Sequence, residues 1–236
     1  MRLTEQLRAL DADLVVDEKR EVDMKTGASK LFPLVTGTVT GQVLPFSTVC
    51  RDPAISSQIM IHTLTVRTQL MRDAGVRLLE HTFYEDYEYV VKASVPAASI
   101  VFFDLEVYQY LVGNANQSVS HANYVRRWDD HERVVLELLH YLGECRAHAD
   151  DFTPEALAYL SYKVHLIIDT HYNIALLFDS DRCRGRARAR AFREELKRID
   201  EEQWRWGNRR YRQALALNRL GIGYDTVGRL RGRRHV

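Results

Sequence analysis

Apolar positions in this chain change their period near residue 120. Before that point they come in short runs, at residues 14–16, 42–46, 59–66, 100–103 and 107–112. Turn residues separate the runs, at Thr26-Gly27, Gly37, Gly41, Asp52-Pro53, Pro96 and Gly113. Short apolar runs between Gly and Pro signals predict strands. Residues 1–10 read as a helix leading into the first strand. After residue 120 the spacing is helical. Tyr124, Trp128, His131, Val135, Leu138 and Leu142 recur at steps of four and three, forming one apolar stripe. Ser118 or Ser120 supplies its N-cap. Thr153-Pro154-Glu155 is a start signal for a second long helix, with a cap, an N1 proline and an early acid. Phe192, Leu196, Ile199 and Gln203 predict a third, running from about residue 187 past Trp204. The pattern gives an α/β part over residues 1–120 and an all-helical extension over 121–236.

Within the first part, residues 79–90 carry the densest chemistry. The acids Glu85 and Asp86 stand between an aromatic, strand-like lead-in (Thr82, Phe83, Tyr84) and a helical continuation over residues 87–93. A carboxylate at such a junction suits a general base, which needs reach and fixed geometry. The same acids also suit the first turn of a helix, where they complement the macrodipole. His62 and His81 flank this region; each can orient an acceptor or serve as a satisfied structural histidine.

The order of motifs around the acid pair resembles bacterial family-2 glycosyltransferases of the GT-A type. Tyr84-Glu85-Asp86 is followed by a strand ending in Phe103-Asp104, then by Tyr108, Tyr110 and Gly113, then by Gln117-Ser118-Val119-Ser120. Upstream, residues 61–68 resemble the strand leading to the acid motif. The resemblance covers about residues 1–145 and matches the acceptor-side half of that family. It implies a partial GT-A-like mixed sheet and transfer of a sugar from a nucleotide-sugar to an acceptor hydroxyl in cell-envelope or extracellular glycan synthesis. Asp86 would be the base, with Glu85 the runner-up for that role or the group that orients Asp86 or an acceptor hydroxyl. Gln117, Ser118, His62, His81, Arg126 and Arg127 would be candidates for acceptor binding.

The family's nucleotide-binding half, with its Asp-x-Asp metal motif, would precede residue 1. The expectation is therefore a chain inactive alone that works with a donor half, with Mg²⁺ or Mn²⁺ entering only there. Two triplets fit Asp-x-Asp by letter. Asp11-Ala12-Asp13 precedes a strand, and Asp179-Ser180-Asp181 follows a helical apolar run, so neither is the strand terminus that motif requires. A missing half would also leave an open sheet edge near residues 14–16 and invite self-association.

Charge adds a second feature. The net charge is +1, but residues 1–181 hold 16 Lys+Arg against 26 Asp+Glu, and residues 182–236 hold 17 against 6. Arg184, Arg186, Arg188 and Arg190 form the densest cluster, where positive charge opposes a helix N-terminus and a bound anion would relieve it. A glycan- or lipid-phosphate-binding module without catalysis, an anionic membrane surface and a nucleic acid are the other partners this charge allows. The three cysteines (Cys50, Cys145, Cys183) are far apart and suggest a reducing compartment. Placement in the cytoplasm, peripheral to the inner face of the membrane, is the matching expectation. No His-x-His or His-Glu-x-x-His motif, P-loop or dinucleotide fingerprint occurs.

Overall fold

A computed structural model describes residues 3–113 and 120–226. Gln117, Ser118 and the basic tail over residues 228–235 lie outside the described residues. Two compact units divide the chain, one of residues 1–117 with 148–160, the other of residues 118–147 with 161–236.

The first unit is a mixed sheet with short helices. Its strands are β1 (Leu14–Asp23), β2 (Ser29–Phe32), β3 (Leu44–Pro45), β4 (Leu64–Val66) and β5 (Ser99–Val112). Their order is β2-β1-β5-β3, with β4 also pairing with β1. The β1–β5 pair is parallel and central, with Leu14 opposite Ile100, Val15 opposite Val101 and Val16 opposite Phe102. All six side chains are buried, as a parallel pair covered on both faces requires. Leu3 and Leu10, at either end of the helix α1 (Leu3–Ala9), pack on the face formed by Val15, Val101 and Phe103.

Three expectations change here. The edge near residues 14–16 is not open, because β4 pairs antiparallel with Leu14–Val16 on the side away from β5. The basis for edge-driven self-association is therefore removed. The two runs at 100–103 and 107–112 form one strand of 14 residues, and irregular pairing between Val16 and Lys19 accommodates it. Strand β1 extends through seven residues past Val16 that offered no apolar signal. This unit also holds the helices α2 (Phe46–Cys50), α3 (Pro53–Ser56), α4 (Thr68–Asp73) and α5 (Glu85–Ser94), together with the first turns of the long helix that starts at Pro154.

The second unit is helical. It contains α6 (His121–Arg126), α7 (Trp128–Ala147), the later half of α8 (Pro154–Asn173), α9 (Arg182–Ile199) and α10 (Glu201–Arg219). The stripe from Trp128 on is buried as its spacing predicts, with Trp128, His131, Val135, Leu138 and Leu142 inside, but the predicted single helix breaks at Arg127, which leaves Tyr124 half-buried on α6. Ser120 caps α6 by accepting the Asn123 amide, and Thr153 Oγ1 accepts the Ala156 amide at the start of α8. The run after α8 stays helical as a wide turn over Ile174–Phe178. The third predicted helix is two. Asp200 is extended (φ −148°, ψ 102°) and its side chain accepts the Gln203 amide, which ends α9 and caps α10. Helix α9 also begins earlier than predicted, because Asp181 caps it by accepting the amides of Cys183 and Arg184.

A histidine pair lies in this core. His131 Nδ1 and His171 Nδ1 are 3.0 Å apart, and His171 stacks on Trp128 with centroids 3.7 Å apart. Burial holds both imidazoles well below their ordinary range; the neighbouring imidazole adds to this for His131, and Arg188 adds to it for His171. An unfolded chain takes up protons on both as pH falls through about 6.5, whereas the native pair does not. The stabilisation is thus fully present above that pH and is lost below it, by at most roughly 1.4 kcal/mol per pH unit for each histidine. Two histidines outweigh one carboxyl, so urea midpoints are expected to fall between about pH 7.5 and pH 5.5, less the opposing contribution of Asp17, whose carboxyl burial raises to about 7. Equal midpoints at the two pH values would contradict this account.

Candidate functional site

Past the irregular pairing, β1 becomes mostly charged and the side chains of β5 become largely exposed. Lys19 pairs with Tyr108 and Glu21 with Tyr110. Because side chains alternate along a strand, these four residues share one face. Phe32 on β2 stands opposite Lys19, and the Lys19 ammonium lies 4.9 Å from the Phe32 centroid and 5.5 Å from that of Tyr110. His62 stacks on this face, 5.1 Å from Tyr108 and 4.4 Å from Tyr110 between ring centroids. Lys19 Nζ also pairs with Glu21 Oε1 at 3.0 Å.

Asp86 completes the group. Burial and the nearby Lys19 charge lower the His62 pKa, while Asp86 and Glu21 oppose that shift. Burial raises the Tyr110 phenol, with Tyr108, Glu21 and Asp86 adding to it. The His62 imidazole and the Tyr110 phenol are therefore stacked together, and the exposed Asp86 acts on both through its charge.

The acid pair begins α5 and is exposed. Asp86 Oδ1 accepts the Tyr87 amide at 2.8 Å. Thr82–Tyr84 is not a strand; it is an irregular approach in which Tyr84 takes the left-handed conformation (φ 72°, ψ 12°), as does His81 (φ 54°). For bulky residues that geometry is costly and must be held by its surroundings. Part of the support is a buried ion pair one turn on. Glu88 Oε1 accepts from Lys92 Nζ at 2.7 Å, Glu88 Oε2 accepts the Leu79 amide at 3.1 Å, and Lys92 Nζ also donates to the Arg77 carbonyl at 2.9 Å. Helix α5 thereby grips the loop that delivers the acids.

Lys19, Glu21, Phe32, Glu88 and Lys92 were not legible as site residues. Only the four-residue spacing of Glu88 and Lys92 offered a signal. His81 stays exposed on the approach loop. Arg126 ends α6 and Arg127 follows it, both in the second unit.

The four candidate arginines of the α9 start, Arg184, Arg186, Arg188 and Arg190, have separate surroundings. Arg184 makes a two-pronged pair with the buried Asp179, at 2.9 and 2.7 Å. Arg186 donates to Asn218 Oδ1 at 2.8 Å, and the Arg188 guanidinium sits 5.3 Å from the Trp128 ring. Arg190 is exposed. Much of the charge that opposes the helix start is thus neutralised or held within the unit.

Both Asp-x-Asp triplets are occupied internally. Asp13 Oδ2 accepts the amides of Ala98 and Ser99 and the Ser99 hydroxyl at 2.9–3.1 Å, while Oδ1 faces Arg67. Asp179 is filled by Arg184, and Asp181 is the α9 cap. Neither triplet fits the divalent ion expected with a donor half. Among the described residues, no group of three or more His, Cys, Asp or Glu could hold a metal, and no helix is long and apolar enough to cross a membrane. No protein-family model and no curated protein matches the chain.

Proposed function

We propose that this chain is the acceptor-side part of a family-2 glycosyltransferase, acting at the cytoplasmic face of the membrane in cell-envelope or extracellular glycan synthesis. The observation that carries the reading is the stacking of His62 on Tyr108 and Tyr110 over the face that holds Lys19 and Glu21, with the Asp86 charge acting on His62 and Tyr110. The motif order pairs these residues across separate stretches of sequence, and the electrostatics of the fold couple them. In the reaction, an acceptor hydroxyl oxygen bonds to the anomeric carbon of the donor sugar. The bond from that carbon to the nucleoside diphosphate breaks, and the hydroxyl proton passes to the Asp86 carboxylate. The aromatic faces of Tyr108, Tyr110 and Phe32 offer apolar contact to a sugar ring, while Lys19, Glu21 and His62 offer hydrogen-bond partners to its hydroxyls.

No step of this proposal runs through a metal ion on this chain, since the two acidic triplets do not fit one. The test supplies a nucleotide-binding half, fused or as a separate partner, and measures sugar transfer from labelled nucleotide-sugars to cell-envelope glycan acceptors. Transfer that requires this chain supports the reading. A donor half that binds nucleotide-sugar while no acceptor in the panel is glycosylated, with or without this chain, overturns it.

A further inference from the structure

A second cluster of chemistry lies in the helical unit, outside everything assigned above. A cavity of about 260 Å³ is lined by His165 and Asp169 on α8 and by Trp206, Arg209, Arg210 and Gln213 on α10. Asp169 Oδ2 lies 3.8 Å from His165 Nε2. Asp169 Oδ1 and His165 Nδ1 are shielded from solvent and have no hydrogen-bond partner among the described residues. Groups left in that state cost free energy, and their presence in a folded protein calls for an explanation. Arg210 is oriented by its own bond, Nε donating to Asn173 Oδ1 at 2.7 Å, which leaves its terminal nitrogens for another acceptor. Trp206 is 49 % exposed and stands edge-on to His165, with centroids 5.0 Å apart and planes at 89°.

These features select a ligand class. Two guanidiniums against one carboxylate favour an anion, and the planar fork suits phosphate oxygens. A half-exposed indole offers a flat apolar wall to a ring. A carboxylate and an imidazole beside it accept from and donate to hydroxyls. The volume suits a small molecule rather than a polymer segment. We propose that this cavity binds a sugar phosphate, with the phosphate on Arg209 and Arg210, the ring against Trp206 and the hydroxyls toward Asp169 and His165. The proposal is independent of the Asp86 site and of the glycosyltransferase reading.

The test uses the full chain labelled with ¹⁵N. Its three tryptophans give three indole N–H resonances, and Trp206→Phe assigns the relevant one. Hexose 6-phosphate, free hexose and inorganic phosphate are titrated separately. Hexose 6-phosphate is expected to move the Trp206 resonance saturably, with affinity at least about tenfold tighter than either fragment. Arg209 is exposed, so Arg209→Gln is expected to leave the urea midpoint unchanged and weaken binding by at least about tenfold. No saturable shift, a fragment that binds as tightly as hexose 6-phosphate, or full affinity in the folded Arg209→Gln variant would each overturn the proposal.

Discussion

Asp86→Asn, assayed with a nucleotide-binding half present, is expected to lower kcat for sugar transfer by about 10²–10⁴-fold, the usual worth of a general base. The substitution keeps the shape of the side chain and removes its ability to take a proton. It should change KM for the acceptor little, because the aromatic contacts from Tyr108, Tyr110 and Phe32 remain. The fold should also survive. Asp86 is exposed in the first turn of α5, and losing one favourable charge at a helix N-terminus costs roughly 0.3–1 kcal/mol. Glu85→Gln is the matched control, since Glu85 is also exposed but is not among the charges that act on His62 or Tyr110; its expected loss is less than about tenfold. Near wild-type turnover in Asp86→Asn, with the control behaving the same way, would remove Asp86 from the chemistry and leave the pair as ordinary first-turn acids.

The parts of this molecule that were legible in sequence are those where apolar period and cap chemistry agree. The α7 stripe and the Thr153-Pro154 start of α8 are of that kind, because burial and capping leave direct traces in residue choice. Strand β1 shows the opposite case. Its apolar signal stops at Val16, yet the strand continues to Asp23 through five successive charged residues, Asp17 to Glu21. Those residues are held by pairing with β5 and β2, which is information stored in partners distant in sequence. The candidate site sits on this stretch, so Lys19 and Glu21 were invisible while Tyr108 and Tyr110 were not. The same reasoning accounts for the edge near residues 14–16. The run at 59–66 is predicted as a strand, of which only Leu64–Val66 forms one, and a one-dimensional reading does not say that it pairs with Leu14–Val16. The break at Asp200 was missed for a different reason. The apolar stripe continues in phase from Leu196 to Gln203, and only the side-chain cap of Asp200 reveals that the backbone leaves the helix between them.

Glycines on the long helices give the sharpest stability test, because one substitution is expected to act with opposite signs. Alanine is favoured over glycine in a helix interior by about 1 kcal/mol. At Gly143, on the exposed side of α7, an added Cβ would meet nothing within 4 Å, so Gly143→Ala should stabilise by about that amount. At Gly185, near the start of α9, the added Cβ would lie 1.9 Å from the Ala175 carbonyl oxygen and 3.1 Å from its carbon. Those are backbone atoms of the wide turn over Ile174–Phe178 and cannot rotate aside as a side chain can. The helix cannot easily retreat either, because the Asp179–Arg184 pair and the Asp181 cap fix its first turn. Overpacking of this kind costs about 1–3 kcal/mol and occasionally more, and a backbone obstacle belongs at the upper end. Gly185→Ala is therefore expected to lose at least about 2 kcal/mol net, a factor of roughly 30 in the folding equilibrium. Gly207 is intermediate, since its neighbours at 3.0 and 3.3 Å are side-chain atoms of Ile168 and Tyr172 that can give way by tenths of an ångström. Urea unfolding of the three variants should rank Gly143→Ala above wild type, Gly207→Ala near or below it and Gly185→Ala lowest. A Gly185→Ala midpoint equal to or above wild type would mean that α9 does not approach the Ala175 carbonyl this closely.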